Sequence, residues 1–270
     1  MAPHLDEFKT RQRAVWDAGD YSILSPYIAD IGERVVDRAA IERGMSVLDV
    51  ACGAGNAAFP AARVGARVSG LDLAPSLLAH GRAKAEAEGL EIEWVEGDAE
   101  DLPFEDGSFE RVLSTAGHMF APRHQRVADE MARVCGGGGT IVTATWTPDG
   151  VAGQTIRAGA EFMPPPPEYA SSPLLWGTEE HVREVFAGVA TEFEFERHLN
   201  VIEFDSLEGF TDVFMDNFPP MVAARGMLGD RFLELRDRSV EIWREANEAD
   251  DGSLRLPQEY LLSVVRLRSS

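Results

Sequence analysis

From residue 45 onward, short apolar runs alternate with amphipathic stretches. The runs "MSVLDVA", "ARVSGLD", "IEWVEGD", "ERVLSTA" and "TIVTATW" have the length and β-branched content of buried strands. Between them, "SLLAHGRAKAEAE" and "HQRVADEMARVC" read as helices, the second repeating Val127, Met131 and Val134 at helical spacing. Strands alternating with helices predict an α/β fold: a parallel sheet covered on both faces, with ligands held beyond the carboxyl ends of the strands at the topological switch point.

The flanks have a different pattern. Residues 5–43 are helical in period but broken around "AGDYSILSP", with Trp16 and Tyr21 flanking the break, which predicts an N-terminal helical cap. "CGGGG" should end a helix and turn into the fifth strand, because glycine tolerates the left-handed backbone of such a turn. After Trp146 the regularity fades. "MPPPPEYASSP" can be neither helix interior nor central strand and is read as an extended loop. "ATEFEFERHLNVIEF" returns to strand alternation. Residues 207–249 look helical, with Leu228, Phe232, Leu235, Ile242 and Ala246 on one face, and "EYLLSVVRLR" reads as a closing strand.

Composition narrows the function classes. At 270 residues and 44% hydrophobic content the chain can bury one large core. A net charge of -21 and a pI near 4.6 oppose binding to a phosphate backbone, so nucleic acid is a poor partner. Cys52 and Cys135 are too few for a disulfide framework and lack zinc spacing, so neither a disulfide nor a metal is expected. "MAPHLDEFKTRQR" is too charged for a secretory signal, and no apolar run approaches the roughly 20 residues of a membrane span. The expectation is a cytoplasmic protein without a membrane partner.

The candidate ligand loop is "LDVACGAGN", residues 48–56, an apolar strand running into a glycine turn. Gly53, Gly55 and Ala58 match GxGxxA, and Asp72 lies 17 residues after Gly55, so a dinucleotide site is formally open. Asp49 argues otherwise. A carboxylate beside the loop would repel a pyrophosphate, whereas a zwitterionic aminoacyl group accepts both a carboxylate and amide donors.

Residues 49–55 resemble motif I of the class I S-adenosylmethionine-dependent methyltransferases, usually written DxGCGxG. The likeness continues in order through "GLDLAPSLL" and "EGDAEDLPFEDGSFERVLS", covers about residues 45–146, and is closest to the UbiE-like subgroup that acts on small molecules. The resemblance implies a Rossmann-like, mostly parallel seven-stranded sheet with an N-terminal helical cap (residues 1–44), an S-adenosylmethionine-binding core (45–146), and a substrate lid with closing strands of the same domain (147–270). It further implies that the loop carrying Asp49, Ala51, Gly53 and Gly55 cradles the cofactor's aminoacyl end. Asp72 would take the ribose hydroxyls, Leu73 would pack on the adenine, and Asp98 and Ala99 would contact the adenine edge. Ser114 would offer its carbonyl to the methionine amino group. Tyr21, with Trp16, would close the pocket from the cap. Ala51 in place of the family's first glycine, Pro60 early in the next helix and Glu110 before the fourth strand depart from the pattern without removing a ligand contact.

Methyl transfer from a sulfonium needs chiefly alignment and exclusion of water, and a base only where the acceptor must lose a proton. "STAGHMFAP" follows the fourth strand, where this fold places its acceptor, which makes His118 the candidate base. Phe162, Met163, Trp176, Phe210, Phe214 and Met221 would shape a pocket for a medium-sized, partly apolar acceptor. Cys52 reads as a small packing residue, and the remaining histidines as structural. Three readings stay open: a small-molecule methyltransferase, a protein that binds S-adenosylmethionine without transfer, and a nicotinamide-dependent oxidoreductase. A homodimer is the assembly to test.

Overall fold

The computed structural model describes residues 3–269. Helices α1 (Pro3–Trp16) and α2 (Ala29–Arg38) precede the sheet, separated by 3-10 turns at Tyr21–Ile23 and Ser25–Ile28. The break comes where Asp20 accepts from the Ser22 amide and Pro26 starts a new turn. An alternating series follows: β1 (Ser46–Val50), α3 (Ala58–Val64), β2 (Arg67–Asp72), α4 (Pro75–Glu88), β3 (Ile92–Glu96), β4 (Arg111–Thr115), α5 (His124–Cys135) and β5 (Thr140–Trp146). The chain continues through α6 (Val151–Glu161), α7 (Glu179–Phe186), β6 (Ala190–Phe204), α8 (Leu207–Asn217), α9 (Pro219–Leu228), α10 (Phe232–Ala246) and β7 (Leu254–Leu267).

The seven strands form one sheet in the order β3-β2-β1-β4-β5-β7-β6. Strands β1 to β5 are parallel, and β7 runs antiparallel between β5 and β6. The switch point therefore falls between β1 and β4. Side-chain alternation feeds two cores. Leu48, Val112, Ile141 and Val265 pack with α5 and α7 on one face, while Val47, Leu113, Val142 and Val264 pack with α2 and α3 on the other. A third cluster, including Phe210, Met221, Leu235 and Trp243, joins α6 and α8 to α10 over the start of β7.

The expected architecture is present, with differences in detail. Pro60 is the third residue of α3, inside the first turn, where its missing N–H costs no helical bond. Glu110 ties β4 to β1 by accepting from the Ser46 amide at 2.9 Å. Helices α6 and α7 were not anticipated. The first contains two glycines that blur its period, and the second is announced only by Thr178, whose side chain caps the His181 amide. Strand β7 starts at Leu254, ahead of the expected 259, despite Pro257. The proline is tolerated because β5 pairs with β7 only from Tyr260 onward, leaving one edge of β7 free at Pro257. At the far end of the β6–β7 ladder Phe204 stands opposite Leu254. Among the described residues, no helix is long and apolar enough to cross a membrane.

Candidate active site

The turn between β1 and α3 is built by left-handed backbone at Ala51 (φ 52°), Gly53 (φ 56°) and Gly55 (φ 97°), and closed by the Gly55 amide donating to the Cys52 carbonyl at 2.8 Å. Ala51 bears a Cβ in a region that disfavours one, and Ala116 (φ 56°), just past β4, does the same across the switch point. The two loops touch: a Cβ on Gly117 would lie 2.1 Å from the Ala51 carbonyl oxygen, so only glycine fits there. Gly53 and Gly55 have different tasks. A Cβ on Gly55 would meet Trp94 at 2.7 Å and Phe59 at 3.0 Å, whereas a Cβ on Gly53 would find nothing nearer than Leu77 at 4.0 Å. Gly55 is required by packing; Gly53 keeps a cradle open.

Two carboxylates hold this turn. Asp49, 1% exposed, accepts from the Ala58 amide at 2.9 Å through Oδ2, and its Oδ1 has no partner among the described residues. Burial pushes its carboxyl up to about 7, against the lowering effect of the Ala58 amide. Asp72, at the end of β2, accepts from Gly53 at 2.7 Å and Ala74 at 2.9 Å. Burial raises it to about 6, again opposed by those amides. The Cys52 thiol is held well above its usual range by burial and then by Asp49 and Asp72, which removes it as a nucleophile.

A cavity of about 640 Å³ runs from this turn into the helices after β5. Of the predicted site residues, Tyr21, Ala51, Gly53, Asp72, Leu73, Asp98, Ala99 and His118 line it. Asp49, Gly55 and Ser114 are not on its wall; they lie behind the turn, Ser114 tying β4 to β1 by donating its hydroxyl to the Val50 carbonyl at 2.6 Å. Met163, Phe210, Phe214 and Met221 line the cavity, while Phe162 and Trp176 do not. Trp176 is fully buried against His118, ring centroids 4.5 Å apart, and belongs to the main core. Its apolar character alone could not reveal which side it faces.

His118 is fully buried, and neither ring nitrogen has a partner among the described residues. Burial, then the neighbouring His124, pushes it down to about 3, so the ring is neutral across the physiological range. His124 Nδ1 and His181 Nε2 share a hydrogen bond of 2.8 Å. Tyr21 is raised to about 12 by burial and therefore stays a neutral phenol.

Several residues on this wall escaped the reading of the sequence. Lys9 pairs with Asp98 and, at 2.6 Å, with Glu100, while Gln12 donates to the Phe120 carbonyl at 2.6 Å. Helix α1 thus lies across the mouth of the cavity, with Trp16 edge-on to Phe120 at 5.1 Å. A charged terminal helix carries no local signal of such docking. Gln258, on β7, was missed as well, although a polar residue at an inward strand position is a readable sign.

The donor set suits a ligand with a nucleoside and an aminoacyl end. Gly53 leaves space for it, Asp72 retains lone pairs for a diol, and Asp49 keeps an unpartnered oxygen behind the turn. Comparisons with known proteins agree. A protein-family model described as Methyltransferase domain matches residues 47–139. An uncharacterized protein of Mycobacterium tuberculosis is 42% identical over 82% of this chain and 81% of its own. The demethylmenaquinone methyltransferase of Thermus thermophilus is 38% identical over 43% of this chain and 53% of its own. Among solved structures, the geranyl diphosphate C-methyltransferase of Streptomyces coelicolor, in complex with S-adenosyl-L-homocysteine, shares the fold. Its TM-score is 0.53 at 18% identity, covering 88% of this chain and 75% of that one.

Proposed function

The chain belongs to the S-adenosylmethionine-dependent methyltransferases, and from that premise we propose that it methylates a small, partly apolar metabolite by in-line displacement. One observation carries the reading: a single cavity joins the Gly53–Asp72 cradle to an apolar chamber walled by Phe210, Phe214 and Met221. Bound S-adenosylmethionine supplies an electrophilic methyl on a sulfonium, so the protein's work is to align the acceptor and keep water away.

In this reading Asp72 accepts the ribose hydroxyls with the lone pairs that the Gly53 and Ala74 amides leave free. Leu73 and Ala99 flank the adenine, and Asp98 shares its carboxylate between the adenine amino group and Lys9. Asp49, behind the turn, favours the ammonium end through its charge rather than by contact, and Ser114, also off the wall, offers its carbonyl only if the turn shifts on binding. Tyr21 and α1 close the mouth. His118 is the candidate base for a hydroxyl or acidic carbon acceptor: its ring is neutral, although the burial that lowers it to about 3 also makes it a weak base. The burial of both its nitrogens favours a second reading, transfer by alignment alone. The Thermus relative's name, which specifies demethylmenaquinone, fits an apolar acceptor.

The test is incubation with methyl-labelled S-adenosylmethionine and a library of phenols, ketones and amines. Acceptor-dependent release of S-adenosylhomocysteine with a labelled product is expected. Tight S-adenosylhomocysteine binding with no labelled product from any acceptor class would count against a small-molecule acceptor.

A further inference from the structure

The charged side chains on the cavity wall, Lys9, Asp72 and Asp98, all lie at the cofactor end, and Lys9 is already paired with Asp98 and Glu100. Beyond them the described wall carries no formal charge. Ile202, Phe210, Phe214, Met221, Leu235 and Trp243 dominate it. Polar groups there are mostly engaged with the protein itself. Thr155 donates to the Val151 carbonyl at 2.9 Å and accepts from Trp243 Nε1 at 3.0 Å, and Asn56 donates to the Ser25 carbonyl at 3.1 Å.

Thr115 and His118, at and just past the end of β4, line the cavity with side chains that have no partner among the described residues, and on β7 so does Gln258. It lines the same cavity, is only 7% exposed, and its side-chain amide has no hydrogen bond among the described residues. It sits on β7 between Leu256 and Tyr260, which point to the same side of the strand and are 0% and 2% exposed. Its cross-strand neighbour Asn200 is turned to another partner, its amide donating to the Tyr27 carbonyl at 3.0 Å. An inward strand position between apolar neighbours ordinarily carries an apolar side chain, and an amide that opens onto the cavity with no protein partner is available to a ligand's hydrogen bond. A charged group placed in this chamber would lose its hydration with nothing to replace it.

We propose that the chamber takes an uncharged, largely apolar acceptor whose one carbonyl or hydroxyl oxygen is received by the side-chain amide of Gln258, making Gln258 the residue that selects substrate by polarity. The inference rests on the methyltransferase reading of the cavity and names the chemical class of its acceptor.

Three naphthalene probes of similar size test it on the full chain saturated with S-adenosylhomocysteine: acetylnaphthalene, ethylnaphthalene and naphthoate, each displacing the fluorophore Nile red. Acetylnaphthalene should displace at a concentration about tenfold lower than ethylnaphthalene, the worth of one hydrogen bond, and naphthoate should not displace. In Gln258→Leu, and in Gln258→Met as a second apolar replacement of similar length, the acetyl preference should vanish while ethylnaphthalene binds as before. Naphthoate binding as well as acetylnaphthalene, or an acetyl preference that survives both substitutions, would overturn the proposal. Calorimetric titration with S-adenosylhomocysteine separates the two levels: failure to bind it strikes the cofactor reading, whereas binding with the wrong probe order strikes only the role of Gln258.

Discussion

The backbone amide of Gly53 donates to Oδ2 of Asp72 at 2.7 Å, so the turn leaving β1 and the carboxylate ending β2 are held as one unit. Asp72 also fixes the entry to α4 through the Ala74 amide. The same carboxylate therefore shapes the cradle and, in the proposed reading, binds the ribose. Replacing it touches both functions, which is why its charge is better tested than its presence.

Titration of S-adenosylhomocysteine affinity against pH tests that charge. The folded carboxyl is raised to about 6 by burial, so the ionised form that accepts hydroxyls is lost as pH falls through that value. Affinity should be flat above pH 7 and drop by up to about tenfold per unit below 6. Asp72→Asn should bind more weakly at pH 8 and show no such inflection. A wild-type profile flat down to pH 5 would remove Asp72 from the ribose.

Asp49 should weaken the fold in the absence of ligand. Its folded-state value of about 7 exceeds the ordinary 3.8, so the folded protein holds the proton more tightly than the unfolded chain. Its stabilising contribution is present below the ordinary value and disappears as pH rises through 7. Asp49→Asn should accordingly gain in stability relative to wild type between pH 4 and 7, reaching on the order of a few kcal/mol at pH 8. Urea denaturation at several pH values measures this difference, and the same variant should bind S-adenosylhomocysteine less tightly. A stability difference independent of pH would refute the assignment.

The two glycines of the turn should respond differently to alanine. Gly55→Ala drives a Cβ into Trp94 and Phe59 and should lower stability by about 1–3 kcal/mol. Gly53→Ala meets open space, so only its left-handed backbone resists, at about 1 kcal/mol. Its Cβ instead enters the cradle, and loss of S-adenosylhomocysteine binding in a folded protein is expected. Thermal melts with paired calorimetry distinguish the two.

With an acceptor in hand, His118→Ala should lower kcat by about 10²–10⁴ while leaving S-adenosylhomocysteine affinity unchanged, as for a lost general base. Because the ring is neutral down to about 3, no inflection near 6.5 from this residue should appear in the rate profile. A loss of less than threefold would assign the reaction to alignment alone.

The centre of the sheet was legible because its strands are short apolar runs that lead directly into a turn, as β1 does after Val50 and β2 at Asp72. The cradle was legible for the same reason: Gly53, Asp72 and Asp98 sit at fixed positions relative to those strand ends. The chamber was not. Phe162 and Trp176 are as apolar as Phe210 and Met221, yet the first two do not line the cavity and the others do. Which side an aromatic ring takes is decided by tertiary packing, not by local period. Lys9 and Gln12 were illegible for a related reason, since their partners Asp98, Glu100 and Phe120 lie far along the chain.

The pairing of Phe204 with Leu254 at the end of the β6–β7 ladder gives residues 205–253 an exit and a return that lie side by side. Helices α8, α9 and α10, which contribute Phe210, Phe214, Met221 and Trp243 to the chamber, enter and leave through that gap and pack against α6. A segment whose ends meet can be lengthened, shortened or exchanged at little entropic cost to the remainder. In the proposed reading, grafting residues 205–253 from a relative reshapes the wall formed by Phe210, Phe214, Met221 and Trp243 while leaving Gln258 and the cofactor platform in place.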